Sequence, residues 1–143
     1  MIAQALTKIY HEKEHWHKNK LSVEDANKYH ERLLMNGNII TYVLDGELIG
    51  YLEFWRITYE QFGRLVCGDT INAMAEDLLT GEIAYINNMW ISEDYRGGEA
   101  FNTLAKEFLF KNVDCQYFST FRPFKNHKPI IVYSRADLYK FIK

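Results

Sequence analysis

The stretch YINNMWISEDYRGGEAFNTL, residues 85–104, decides how the rest of the chain is read. Its first part belongs to the run Glu82–Ile91, in which Ile83, Tyr85, Asn87, Met89 and Ile91 alternate with Ala84, Ile86, Asn88 and Trp90. Both sets are mostly apolar, so the run predicts a strand covered on both faces, at the centre of a sheet. Residues 92–98 follow as a tight junction, after which Ala100, Phe101, Leu104, Ala105, Phe108 and Leu109 recur at helical spacing. A strand that ends in a glycine turn and opens a helix leaves backbone N–H groups unpaired at the positive end of the helix dipole. Such a junction suits an anion, typically a phosphate, and glycine lets the anion come close to the backbone.

Working outward toward the N-terminus, Ile2, Ala5, Leu6, Ile9, Tyr10, Lys13 and Trp16 predict an amphipathic helix over residues 2–18. Ser22 reads as the N-cap of a second helix, with Glu24 and Asp25 in its first turn and Gly37 as its stop. Val23, Ala26, His30, Leu33 and Leu34 form its apolar face. Two β-rich runs, 38–44 and 47–56, flank Asp45-Gly46 and predict a hairpin. Residues 58–80 predict a broken helix: Thr58 caps the first half, Cys67-Gly68-Asp69 interrupts, and Ile71, Met74 and Leu78 continue on one side. Toward the C-terminus come a strand over 115–121, a basic loop at 123–129, a strand over 130–134 and a short helix over 136–142. This order predicts an α/β (α+β) fold, a mixed sheet with helices packed on it and a helical hairpin at the N-terminus.

The 143 residues are 48% hydrophobic and 25% charged, enough for one compact domain spanning 1–143 and too few for two. No apolar run reaches the roughly 20 residues of a membrane span, and the N-terminus has no apolar signal core. Cys67 and Cys115 lie far apart without metal-type spacing, which fits a reduced, cytoplasmic protein. The net charge of −2 disfavours a dedicated nucleic-acid binder. Charge is nevertheless uneven: residues 45–99 hold eleven acidic side chains against three basic ones, and residues 100–143 hold eight basic against three acidic. Solvated faces that attract one another account for this, as would an acidic entrance for a cationic substrate and a basic rim for a phosphorylated ligand.

Residues 85–104 resemble the acetyl-CoA-binding core of the GNAT superfamily of N-acetyltransferases. Met89 and Ile91 match its apolar strand positions, Tyr95-Arg96-Gly97 matches directly, and Leu104 falls at the expected helical offset. The element order extends the likeness to residues 20–121, and implies a mostly antiparallel central sheet flanked by helices. The resemblance is that of a divergent member, with an eroded pyrophosphate loop. A one-residue gap gives Gly98 and Ala100 the two small positions, and Glu99 adds a carboxylate beside them. The family's first strand, before the helical hairpin, has no counterpart, and residues 58–80 lengthen the connection into the central strand. The resemblance implies acetyl-CoA as co-substrate. Its pantetheine arm would lie along the backbone of Met89, Trp90 and Ile91, and its pyrophosphate on the amides of Arg96, Gly97, Gly98, Glu99 and Ala100. It further implies that a base takes the amine's proton and an acid protonates the thiolate. Glu53 or Glu82 could act as base through water, with Asn87 and Asn88 orienting that water. Tyr133 and Tyr139 are the candidate acids, and Arg122, Lys125, Lys128 and Arg135 could meet nucleotide phosphates.

A competing pattern, His11-Glu12-Lys13-Glu14-His15, fits H-E-x-x-H, in which two histidines one helical turn apart bind zinc and the glutamate acts as base. Zinc hydrolase helices are largely buried, whereas Lys13 and Glu14 mark a solvated face here, so no metal is expected. The leading expectation is an N-acyltransferase that moves an acetyl group from acetyl-CoA to a primary amine on a small molecule or protein, an amine made cationic by inference from the acidic middle. A catalytically silent GNAT-like binding module is the alternative, and a zinc hydrolase using His11, Glu12 and His15 is a distant third.

Overall fold

The computed structural model describes residues 2–14, 20–69, 71–74, 76–121 and 130–140. The elements in chain order are α1 (Ile2–Glu12), α2 (Val23–Met35), β1 (Ile39–Leu44), β2 (Glu47–Ile57), α3 (Tyr59–Val66), β3 (Ile83–Ile91), α4 (Glu99–Lys111), β4 (Tyr117–Phe121), β5 (Ile130–Ser134) and α5 (Arg135–Tyr139), with a short 3-10 turn at Glu93–Tyr95. The strands form one sheet in the order β1-β2-β3-β4-β5, so β3 is central as its two-sided apolarity predicts. All neighbours are antiparallel except β3 and β4, which α4 connects in parallel. No helix among the described residues is long and apolar enough to cross a membrane.

Each face of the sheet has its own core. On one, α1 and α2 bury Leu6, Tyr29 and Leu33 against Tyr51, Trp55, Ile83 and Tyr85. On the other, α4 buries Leu104, Phe108 and Leu109 against Leu52, Phe54, Ala84 and Phe118. Phe108 is the hub of that second layer, its ring 5.4 Å from that of Phe54 and 5.5 Å from that of Phe118, both edge-on.

Local chemistry fixes the element ends. Ser22 caps α2 by accepting from the Asp25 N–H, and Gly37 leaves the helix at φ +75°. Asp45 and Gly46 both take positive φ, as the tight turn between β1 and β2 requires. Thr58 and Gln61 form a reciprocal capping box at the start of α3. Arg135, considered above as a phosphate contact, instead donates to the carbonyls of Asn112 and Cys115 at 2.5 and 2.9 Å and closes the end of α4. Arg122, Lys125 and Lys128 lie outside the described residues.

The structure departs from the sequence reading in three places. The helix read over 2–18 is α1 only as far as Glu12, and residues 15–19 lie outside the described part. The second half of the broken helix does not form. Arg32 donates to the carbonyls of Ala73 and Glu76, and Gln61 to that of Asp77, groups a helix would spend internally. The segment then runs along the end of β2, where the Arg56 N–H meets the Leu78 carbonyl at 2.7 Å, and Leu78 is buried. Glu14, read as part of a solvated face, is wholly buried and accepts a hydrogen bond from Asn88.

Two stability predictions follow from the packing. A methyl group added at Gly81 would fall 1.9 Å from the backbone carbon of Ile57. Gly81→Ala should therefore cost at least ~3 kcal/mol in urea unfolding, and an unchanged midpoint would refute the close approach. His30, buried between the helices and hydrogen-bonded to the Thr7 hydroxyl at 2.8 Å, has its pKa pushed down to about 4, first by burial and then by His11. The unfolded chain therefore binds the extra proton as pH falls below the ordinary histidine value. Stability should drop by about 3 kcal/mol between roughly pH 6.5 and 4, a loss that His30→Gln should largely remove from the unfolding profile.

Candidate active site

The register between β2 and β3 slips at one position. Glu53 pairs with Asn88 and Phe54 with Ile86, so Asn87 is an extra, bulged residue. Ala84 and Ile86 face α4 before the bulge, and Met89 and Ile91 face it after; Tyr85, Asn88 and Trp90 face the α1–α2 side. The strict alternation expected along 83–91 therefore fails at Asn87. On its other side, β3 pairs with β4 only over Ala84–Ile86, while β4 continues to Phe121. The described pairing with β4 ends at Ile86, opposite Thr120, and among the described residues Asn87–Ile91 have no strand partner on that side.

Beyond Ile91 the chain makes the Gly-rich turn. Gly97 has φ +79°, Gly98 occupies the N-cap of α4, and neither would bring an added methyl within 4 Å of other atoms. Gly98 has no side chain to cap the helix, so the first-turn N–H groups of α4 keep their capacity for an outside acceptor. An open cavity of about 420 Å³ lies here, lined by Met89, Ile91, Arg96, Gly97, Gly98 and Phe101 among others. Arg96 is exposed, and its Nε donates to the Ile91 carbonyl at 2.9 Å. A smaller apolar cavity of about 60 Å³ shares Met89 and Phe101 and reaches Phe108. Of the other residues expected here, Trp90 turns its ring to Tyr51 on the opposite face, Ala100 is buried under the helix, and Glu99 is exposed in the first turn. An acyl-CoA fits this surface in kind: a cavity beside the end of β3, open glycines, a guanidinium and a helix N-terminus, with the exposed carboxylates of Glu93, Asp94 and Glu99 opposing an anion.

A second cavity, about 330 Å³, lies on the α1–α2 face and includes Tyr10, Tyr29, His30, Glu53, Asn87 and Asn88 in its lining. Glu53 is buried on β2 directly beside the bulge. The Trp55 indole donates to the Tyr29 hydroxyl at 2.7 Å, which donates to Glu53 Oε2 at 2.6 Å, and Asn87 donates to the same oxygen. A buried carboxylate needs such donors to remain charged. Burial, and then Glu53 itself, holds the Tyr29 phenol well above its ordinary pKa, so it stays a donor; burial pushes Tyr85 up to about 12. Asn88 is held between Glu14 and the Tyr51 hydroxyl, 2.9 Å away.

Glu53 is thus the sequence candidate that the fold brings to the bulge. Glu82 is exposed at the start of β3. Tyr133 sits on β5 opposite Phe118, and Tyr139 is exposed near Phe110, Val113 and Arg135. Neither tyrosine lines the Glu53 cavity or the loop cavity. His11 is in α1, His15 lies outside the described residues, and no group of three metal-ligating side chains occurs among those described. Sequence reading missed Tyr29, Glu14 and the wall formed by Ile71–Met74. Only the helical spacing of Tyr29 with Leu33 hinted that its phenol would be buried and need a partner.

No protein-family profile matches the chain, and no curated protein matches it by sequence. Solved structures do. The ribosomal-protein-alanine N-acetyltransferase from Brucella melitensis is 14% identical with a TM-score of 0.54, over 82% of this chain and 67% of that one. The loading GNATL domain of CurA from Lyngbya majuscula is 13% identical with a TM-score of 0.57, over 90% and 66%. AAC(6')-Ib in complex with paromomycin and acetyl-CoA is 14% identical with a TM-score of 0.54, over 97% and 91%. The chain spans about two thirds of the length of the first two. With its mostly antiparallel sheet and its helix opening on a glycine turn, this chain has the GNAT fold.

Proposed function

We propose that the protein is an N-acyltransferase that moves an acetyl group from acetyl-CoA to a primary amine. One observation carries this reading: a buried, hydrogen-bonded carboxylate, Glu53, faces a cavity beside the bulge of β3, while the glycine turn opens another cavity on the other face. Consecutive residues of β3, Asn88 and Met89, line the two cavities. The acetyl-CoA in the AAC(6')-Ib complex supports the choice of donor.

When bound, acetyl-CoA supplies an electrophilic thioester carbonyl. Arg96 and the first-turn amides of α4 hold the anionic end, and the unpaired backbone of Met89–Ile91 holds the arm. Glu53 takes a proton from the incoming ammonium, directly or through water, and leaves a neutral amine nitrogen. As the C–N bond forms and the C–S bond breaks, the amine's second proton passes through water to the departing thiolate. Asn87 and Tyr29 donate to Glu53 and orient it.

Acetyl-CoA at 100 times its dissociation constant should stabilise the protein by about 2.7 kcal/mol, a rise of several degrees in melting temperature. Gly98→Asp places a good N-cap residue against the anion, so it should abolish the rise while keeping the fold. Glu53→Gln should keep the rise and lower CoA release by a factor of about 10² to 10⁴. Absence of any rise with acetyl-CoA, longer acyl-CoAs or CoA would overturn the proposal. A rise with no turnover on any amine would favour a binding module.

A further inference from the structure

Beneath α4 lies the apolar cavity of about 60 Å³, on the sheet face away from the Glu53 cavity. Its floor is Leu52 of β2 with Ile86 and Met89 of β3. Met89 pairs with Leu52, and Ile86 and Met89 flank Asn87 and Asn88 at the bulge. Phe101 and Ala105, one turn apart on α4, form the roof, and Leu138 of α5 closes the end. Every described residue around the cavity is apolar.

Packing is incomplete here. Leu52 is buried, whereas Ile86, Met89 and Leu138 are only partly so. Protein interiors leave few voids of this size, because an empty apolar space forfeits dispersion contacts on every wall. A cavity without polar lining holds water poorly, so an apolar group that enters it regains those contacts with little water to displace. By the liquid volume of water, the space takes about two groups the size of a methyl or methylene.

The neighbouring loop cavity sets which group that is. The two share Met89 and Phe101. From the glycine turn back along β3, the loop cavity takes in Ile91 and Met89, and the apolar cavity takes in Met89 and Ile86. An acyl-CoA with its anionic end at the turn and its arm along Met89–Ile91 therefore points its thioester end toward Ile86. Carbons beyond the thioester carbonyl reach the apolar cavity. A hydroxylated acyl group would bury its polar atom there without a partner.

We infer that the apolar cavity is an acyl-chain subsite, which extends the donor from acetyl to unbranched acyl groups of three or four carbons. The inference rests on reading the glycine-turn face as the donor's half of the site. The bond changes are those of acetyl transfer: the C–N bond to the amine forms, the C–S bond breaks, and CoA leaves as the thiol with a proton from the amine.

Calorimetry of the full chain would compare acetyl-, propionyl- and butyryl-CoA, with 3-hydroxybutyryl-CoA as the polar control. Each added methylene should tighten binding about threefold to fourfold, so butyryl-CoA should bind about tenfold more tightly than acetyl-CoA. The hydroxylated chain should lose that gain. Ala105→Leu fills the roof with a good helix former, and should remove the gain while keeping acetyl-CoA binding. Leu138→Ala enlarges the cavity and should move the preference to hexanoyl-CoA, so it carries the test by the opposite shift if Ala105→Leu fails to fold. Butyryl-CoA binding no better than acetyl-CoA, or a chain-length preference unchanged in either folded variant, would overturn the inference. If acetyl-CoA binds and longer chains add nothing, the subsite falls and the transferase reading stands. If the chain-length series holds but no amine releases CoA, the transferase reading falls and the subsite stands.

Discussion

Because β3 carries one residue more than the part of β2 opposite it, its side chains change faces at Asn87, and both candidate cavities depend on that change. Without the extra residue, Asn88 would turn toward α4 and Met89 toward α2, and a polar amide would enter the apolar layer around Phe108. With it, both asparagines reach carboxylates on the helical-hairpin side while Met89 and Ile91 stay on the α4 side. A single insertion thus redirects the side chains of the second half of β3.

Placing a bulge beside buried acids sets a second requirement. Glu14 and Glu53 are both buried; the Tyr29 phenol of α2 and the Asn87 amide of β3 donate to Glu53, and the Asn88 amide of β3 donates to Glu14. Glu53 draws on α2 and β3, and through Tyr29 on Trp55 of β2 itself; Glu14 ties the end of α1 to β3. Helical hairpin and sheet are therefore joined by directional bonds as well as by the apolar packing of Leu6, Tyr29 and Leu33. Directional bonds fix geometry where a nonpolar contact would let the helices slide.

Much of the architecture was legible because local chemistry announces itself. Ser22, Thr58, Asp45-Gly46 and Gly98 mark their caps and turns by residue type, and the apolar faces of α2 and α4 follow their periods. The glycine turn after β3 was legible for the same reason. The rest depends on which remote groups meet. An inserted residue leaves no mark in an apolar strand, so Asn87 read as one more alternating position. Glu14 lay among charged neighbours and read as solvated, since only the fold supplies Asn88, 74 positions on. Ile71, Met74 and Leu78 share a helical period, yet Arg32 and Gln61 compete for the carbonyls. Arg135 read as a free cation until the end of α4 claimed it.

The two cavities meet at one peptide bond. Among the described residues, those lining the Glu53 cavity lie at or before Asn88, and those lining the loop cavity lie at or after Met89. The chain therefore stores its two chemistries end to end. Substitutions in the first 88 residues can reshape one cavity with the other's lining untouched, and a recombination joint at 88/89 would exchange one half whole. Such an arrangement lets the two halves diverge at different rates, with β3 as the hinge of inheritance between them.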